Sequence, residues 1–300
     1  MNAQQRPSGL LDPRVMGKFS GLYLVAKTVV EGFISGLHKS LYRGFSIEFA
    51  GHREYTAGDD LRYLDWKVFG RTDRTYVRVF REETNVKTHI LLDISRSMEY
   101  TSGSITKKQY GIWLAACLSY LMISQKDAVG LILLDSDIRR QIKPGSTTVH
   151  LHHLLSQLEN LPLGKTTSLA AVLHRIALNI KRRSLIILIS DLFDEPDKVI
   201  NGLVHFRHHH HEVIVFQILD AAELDFSFSG HFQFVDMESG EKMDGDSLAL
   251  SAGYRQAVQS FLRHYQRQCS ANNISYARAV TETPFDYFLY QYLNLRARTV

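Results

Sequence analysis

Continuous apolar runs mark the strands of this chain. His89–Leu92, Ala128–Leu134, Ser184–Ile189 and Val213–Leu219 are apolar at nearly every position. That pattern belongs to strands buried on both faces of a sheet. Between them, Lys107–Gln125, Val149–Leu158, Leu169–Ile180 and Lys198–His208 read as helices. A short strand is expected over Ile138–Ile142. Further along come a hairpin near 226–243 with Glu238-Ser-Gly-Glu241 at its turn, a helix over Leu248–Ser270, a strand over Ile274–Ala279 and a terminal helix over Pro284–Arg296. Strand and helix in alternation predict an α/β fold, a doubly wound, mostly parallel sheet with helices on both faces. Before it, Leu22, Val25, Val29 and Phe33 form a helical stripe. Residues 41–83 are dense in charge and aromatics and end in Thr75–Arg81, which alternates as a half-buried strand does. The expected organisation is an N-terminal extension over 1–83 and an α/β domain over 84–300 with the hairpin inserted.

Composition narrows the class. The chain has 300 residues, 45% hydrophobic and 22% charged, and a formal charge of +4 from 35 basic and 31 acidic side chains. So small an excess does not single out nucleic acid as a partner. The two cysteines, Cys117 and Cys269, exclude a disulfide scaffold and a cysteine-ligated zinc site and read as small core residues. The first residues lack the charged-then-apolar plan of a signal peptide. Leu22–Leu37 is interrupted by Lys27 and Glu31, and the apolar stretch Gly111–Ile123 is 13 residues long, short of the roughly 20 that cross a bilayer. A cytoplasmic protein without an integral membrane segment is the expectation.

Ligands of open parallel sheets bind beyond the carboxyl ends of the strands, where strand order reverses. Three loops there carry chemistry: Asp93-Ile-Ser95-Arg-Ser97 after the first buried strand, Gly164-Lys-Thr166-Thr167-Ser168 before a helix, and Asp191-Leu-Phe-Asp194 after the long strand. Carboxylates and hydroxyls without His or Cys suit a hard cation such as Mg²⁺, with a coordination position left for water or an incoming carboxylate. Read singly, each loop is a turn or a cap; the three at one sheet edge point to a shared ion.

Other motifs carry less. Gly164-Lys165-Thr166 lacks the earlier glycine of a phosphate-binding loop, since Glu159 stands there. Asp135 and Asp137 follow a strand as in aspartyl-phosphate phosphatases, and a Mg²⁺-dependent phosphohydrolase using them, or using the Asp93 site itself, is the alternative function, although Arg139 breaks the spacing. His208–His211 reads as a solvated helix end and Arg182-Arg183 as a helix terminus.

The Asp93, Ser95, Ser97 pattern, a threonine in a loop before a helix and an aspartate after the central strand resemble the metal-ion-dependent adhesion site of von Willebrand factor type A domains. The resemblance implies that Asp93, Ser95 and Ser97 ligate the metal, and that Thr167 and Asp191 complete the site directly or through water. Thr167 is chosen over Thr166 because Thr167-Ser-Leu-Ala-Ala-Val-Leu is similar to that family's Thr-Asp-Leu-Ala-Ala-Ala-Leu. Gly51-His-Arg-Glu-Tyr55, Gly58-Asp59-Asp60-Leu-Arg62, Asp65-Trp66 and Gly70-Arg71-Thr72, with Phe234–Glu241, resemble the family catalogued as domain of unknown function 58. That resemblance implies a non-enzymatic adaptor. It would work with a MoxR-type AAA+ ATPase in protein maturation or remodelling, through a partner or client carboxylate offered to the metal. The charged signature itself reads as an ion-pair network or a docking surface.

Overall fold

Four strands whose residues are apolar at almost every position cannot face water on either side, and the sheet is built around them. The structure, a computed structural model, describes residues 21–36, 51–54, 70, 75–79, 87–161, 164, 168–226, 230–235 and 242–299. In chain order the elements are α1 (Leu22–Gly36), β1 (Gly51–Glu54), β2 (Tyr76–Val79), β3 (Lys87–Asp93), α2 (Lys107–Ser124), β4 (Ala128–Leu134), β5 (Ile138–Gly145), α3 (Thr148–Glu159), α4 (Leu169–Asn179), β6 (Ser184–Ser190), α5 (Pro196–His208), β7 (Glu212–Leu219), α6 (Ala221–Asp225), β8 (His231–Val235), β9 (Lys242–Asp246), α7 (Ser247–Ala271), β10 (Ser275–Val280) and α8 (Phe285–Thr299).

The main sheet has the order β10-β7-β6-β3-β4-β5. All its pairings are parallel except β4 with β5. The chain starts at β3, winds out through β4 and β5, then returns to β6 and winds out the other way. The expected α/β class and the doubly wound, mostly parallel sheet are therefore what the protein has. Strand order reverses between β3 and β6, so a crevice is set at the carboxyl ends of those two strands.

The strand alternation divides the core in two. Ile90 and Leu92, Leu185, Ile187 and Ile189, and Ile214, Phe216 and Ile218 face the layer built from α1, α2, α3 and α8. Leu91, Ile186, Leu188, Val213 and Val215 face α4, α5 and the buried Tyr265 and Cys269 of α7. Helix α2 is buried on nearly all sides, because the sheet lies beneath it and α1 covers it with Leu22, Val25 and Val29. It comes close to the sheet at Gly111, where an added Cβ would stand 3.0 Å from Leu92.

Several elements depart from the expected boundaries. β5 runs on to Gly145, through Pro144; as an edge strand it tolerates a proline and a polar sequence that hydrophobic patterning does not mark. The short helix α6 was not foreseen. β8 and β9 pair antiparallel as the expected hairpin, while its turn at 236–241 lies outside the described residues. So does nearly all of the charged signature over 51–74; what is described there is the antiparallel ladder of β1 with β2. The two cysteines are free and buried, and among the described residues no helix is long and apolar enough to cross a membrane.

Candidate metal centre

At the switch point the site grows from the last residue of β3. Asp93 is fully buried. Its Oδ1 accepts a hydrogen bond from the Ser95 backbone N–H at 2.9 Å, and its Oδ2 accepts one from the Ser190 hydroxyl at the end of β6 at 2.6 Å. The Ser190 hydroxyl oxygen in turn accepts the Leu192 N–H at 2.9 Å. One carboxylate thus ties the two central strands together where their loops diverge. Burial, and then the nearby Asp191 carboxylate, push Asp93 well above the usual carboxylate range, against the hydrogen bonds from Ser190 and Ser95. Asp93 has no cation beside it among the described residues.

Ser95 precedes a 3-10 turn over Arg96–Glu99, yet its hydroxyl caps nothing. It lies instead 3.1 Å from the Ser97 hydroxyl. Adjacent ligands around a Mg²⁺ ion, at roughly 2.0–2.1 Å from the metal, stand about 3 Å apart. The two serines are thus spaced as neighbouring ligands of a hard cation. Each oxygen of Asp93 holds a donor from Ser95 or Ser190 and keeps acceptor capacity. Among the described residues no group of three or more His, Cys, Asp or Glu side chains is placed to hold a metal, so any ion here would rest on Asp93 and hydroxyls. The donor set fits Mg²⁺ in chemistry and in the serine spacing.

Asp191 is buried one residue beyond β6. Its Oδ1 accepts the Phe193 N–H at 3.1 Å, its carbonyl accepts from Gln217 Nε2 at 2.9 Å, and its Oδ2 accepts from Lys107 Nζ at 2.8 Å. Leu192, which follows, is buried at φ +63°, a left-handed backbone that a leucine rarely adopts. It is held there by Ser190 at its N–H, and its carbonyl accepts Asp194 N–H at 2.9 Å and the Tyr265 hydroxyl at 3.1 Å. Strain of this kind persists where the surroundings over-determine it, and it gathers at functional turns.

Lys107 was missed by the sequence reading. It is the first residue of α2, and its ammonium is buried between Asp191 and Glu223 Oε1, the latter at 2.5 Å. It lies over the Phe193 ring, 4.6 Å from the centroid. Burial works against its charge, but the two carboxylates outweigh burial and raise its pKa. Glu223 is fixed by a capping box at α6, where its Oε2 accepts the Asp220 N–H at 2.8 Å. Asp220 accepts from the Ser102 N–H and the Thr281 hydroxyl, both at 3.1 Å. A cation in the first turn of a helix opposes the helix dipole; that misplacement, at the head of an otherwise apolar helix, was the available signal.

The third loop approaches from both ends. A Cβ on Gly164 would stand 1.7 Å from the Ile94 carbonyl oxygen, so Gly164 lies directly on the Ile94–Ser95 backbone and only glycine permits it. Past the loop, the Ala170 N–H of α4 donates to Asp194 Oδ2 at 3.2 Å. Thr166 and Thr167, between these two anchors in the chain, lie outside the described residues. Asp93, Ser95, Ser97 and Asp191 are thus gathered at one edge, with Asp191 committed to Lys107.

The other sequence candidates sit in plainer settings. Asp135 is buried, and both its oxygens accept from Arg139 Nε, at 2.8 and 2.7 Å. Asp137 pairs with Arg175 at 2.6 Å across a solvated surface. His208, His209 and His210 are exposed at the end of α5, but His211, expected with them in solvent, is buried, its Nδ1 accepting the Ser184 N–H at 3.1 Å and its Nε2 lying 3.1 Å from the Ile180 carbonyl.

The family described as "Protein of unknown function DUF58" matches residues 51–266. The uncharacterized protein Rv1480 of Mycobacterium tuberculosis is 25% identical over 234 residues, covering 76% of this chain and 73% of that protein; an uncharacterized protein of Mycobacterium bovis matches equally. Among solved structures, an aerotolerance-related membrane protein of Bacteroides fragilis aligns at 17% identity and TM-score 0.48 over 72% of this chain and 100% of that one. BatB of Bacteroides thetaiotaomicron aligns at 14% and 0.47, over 71% and 99% of the two chains.

Proposed function

The chain belongs to the DUF58 family, and on that premise we propose that it is a non-enzymatic protein-interaction module whose carboxyl-edge site binds Mg²⁺ and captures a carboxylate of a partner protein. The observation that carries the reading is Asp93, a buried carboxylate with no cation beside it among the described residues, next to two serine hydroxyls 3.1 Å apart. Asp93, Ser95 and Ser97 would hold the ion, and Thr167 would complete the site. When bound, the ion supplies a positive centre for an incoming oxygen ligand. Lys107 neutralises Asp191, so Asp191 would reach the ion through water rather than directly. It also keeps the negative charge of the site low, which favours an anionic partner group over a neutral one.

Phe193, 37% exposed beside the site, gives a partner an apolar contact next to the ion. The partner we propose is a MoxR-type AAA+ ATPase or its client, on the strength of the family resemblance. The alternative, a phosphohydrolase using Asp135, is disfavoured because Arg139 occupies both oxygens of that carboxylate. Capture of a purified MoxR-type ATPase from the same cell by the immobilised chain tests the reading. Binding is expected in Mg²⁺ and lost in chelator and in Asp93→Ala. Capture that persists in chelator overturns it.

A further inference from the structure

The edge of the sheet opposite this site carries the other sign of charge. β3, β4, β6 and β7 begin side by side: Lys87 pairs with Ala128 and with Ser184, and Leu185 with Glu212. The segments that lead into these strands therefore lie across one edge, about 15 Å wide at the usual strand spacing. They bring Lys126, Lys181, Arg182 and Arg183 to the surface, and Lys143 joins them near the end of the antiparallel β5. All five side chains are exposed, and among the described residues none makes an ion pair or a hydrogen bond.

Acids do little to cancel them. Asp127 is buried, and burial pushes its pKa up to about 6; Glu212 is paired with Arg296. Glu82 and Glu83, a few residues before Lys87, lie outside the described residues. Helix-end cations ordinarily answer the carbonyls of the last turn, but the side chains of Lys181, Arg182 and Arg183 bond none of them. The same edge exposes aliphatic side chains: Val149, 80% exposed at the start of α3, and Leu178, 63% exposed in the last turn of α4. The exposed aromatics Phe193 and Tyr287 are on other segments, one after β6 and one at the start of α8.

We infer that this amino edge docks on an anionic lipid bilayer, with the five cations over the headgroups and Val149 and Leu178 in the interface. Cations grouped without fixed partners are attracted to anionic lipid, and adjacent aliphatic side chains gain by leaving water. The segment that leads into β7 adds the exposed imidazoles of His208, His209 and His210 to this edge. Nucleic acid is the poorer fit because, among the described residues of these segments, the large apolar side chains exposed are aliphatic and none is a Phe, Tyr or Trp on which bases would stack. The arrangement leaves the carboxyl-edge site facing away from the membrane. It does not rest on metal binding at that site.

Co-sedimentation of the full chain with vesicles, in chelator, tests this. Vesicles of phosphatidylcholine containing a third phosphatidylglycerol are expected to bind the chain, and pure phosphatidylcholine is not. Raising the salt from 0.1 to 0.5 M should release it, since screening shortens the reach of the charges. Lys181→Glu/Arg182→Glu/Arg183→Glu should lower the partition coefficient on the order of 100-fold, and Leu178→Ser several-fold. The milder Lys181→Gln/Arg182→Gln/Arg183→Gln serves if charge reversal disturbs folding, with a loss of about 10-fold or more. Asp93→Ala should bind vesicles as the wild type does, which separates this inference from the metal reading. No preference for anionic vesicles, binding indifferent to the 181–183 substitutions, or tighter binding to a DNA duplex than to vesicles would each overturn it.

Discussion

At the carboxyl edge Lys107 is enclosed between Asp191 and Glu223 with no exposed surface, whereas at the amino edge Lys181, Arg182 and Arg183 stand exposed with no carboxylate paired to them among the described residues. The buried cation holds together α2, the end of β6 and the turn after β7; the exposed ones tie no described elements together. A charge is structural where it has been removed from water with its partners, and available to something outside the molecule where it has not.

The largest expected effect follows from that difference. Lys107→Met should cost about 3–5 kcal/mol in urea unfolding, because it strands two buried carboxylates. Converting those partners as well, in Lys107→Met/Asp191→Asn/Glu223→Gln, should recover most of the loss. A loss under about 1 kcal/mol for the single variant would show that the pair is not isolated from water. Next is Gly164→Ala, whose methyl group would overlap the Ile94 carbonyl oxygen. It should destabilise by about 1–3 kcal/mol and weaken any metal affinity, since it pries one loop of the site from another.

His89, buried near the amino end of β3, sharpens the comparison from within the core. Burial, then His211 and Lys87, lower its pKa from 6.5 to about 4. The unfolded chain therefore takes up a proton between pH 6.5 and 4 that the fold refuses. The His89 contribution to stability is whole above pH 6.5 and falls as the pH drops toward 4, by up to about 3 kcal/mol. In His89→Leu the acid limb of the stability profile should be shallower by that amount; an unchanged limb would place this side chain in contact with water. The smallest effect belongs to the amino edge, where Lys181→Gln/Arg182→Gln/Arg183→Gln should change stability within about 0.5 kcal/mol.

These regions also differ in how much of them could be read from sequence. The buried strands were legible because apolar runs such as Leu185–Ile189 admit no exposed face. Asp93 and Asp191 were legible because they end such runs. β5 was half-hidden, since Arg139, Arg140, Gln141 and Lys143 give an edge strand no hydrophobic signature. The role of Lys107 was hidden because a lysine at a helix start looks solvated until Glu223 and Asp191, far away in the chain, close over it. Gly164 looked like part of a failed phosphate-binding motif; its real constraint, contact with the Ile94 backbone, is purely tertiary. Of the amino-edge cations, Arg182 and Arg183 read as a helix terminus and the three lysines carried no signal, and only the strand register brings them together.

On the reading proposed above, Asp93 with Ser95 and Ser97 forms the seat of a hard divalent ion. A Mn²⁺ titration of the purified chain, following the free-ion electron paramagnetic resonance signal, reads this directly. One ion per chain displaced by Mg²⁺, and none in a folded Asp93→Ala variant, is the predicted result. Equal binding by the two proteins, or no binding by the wild type, would contradict the account.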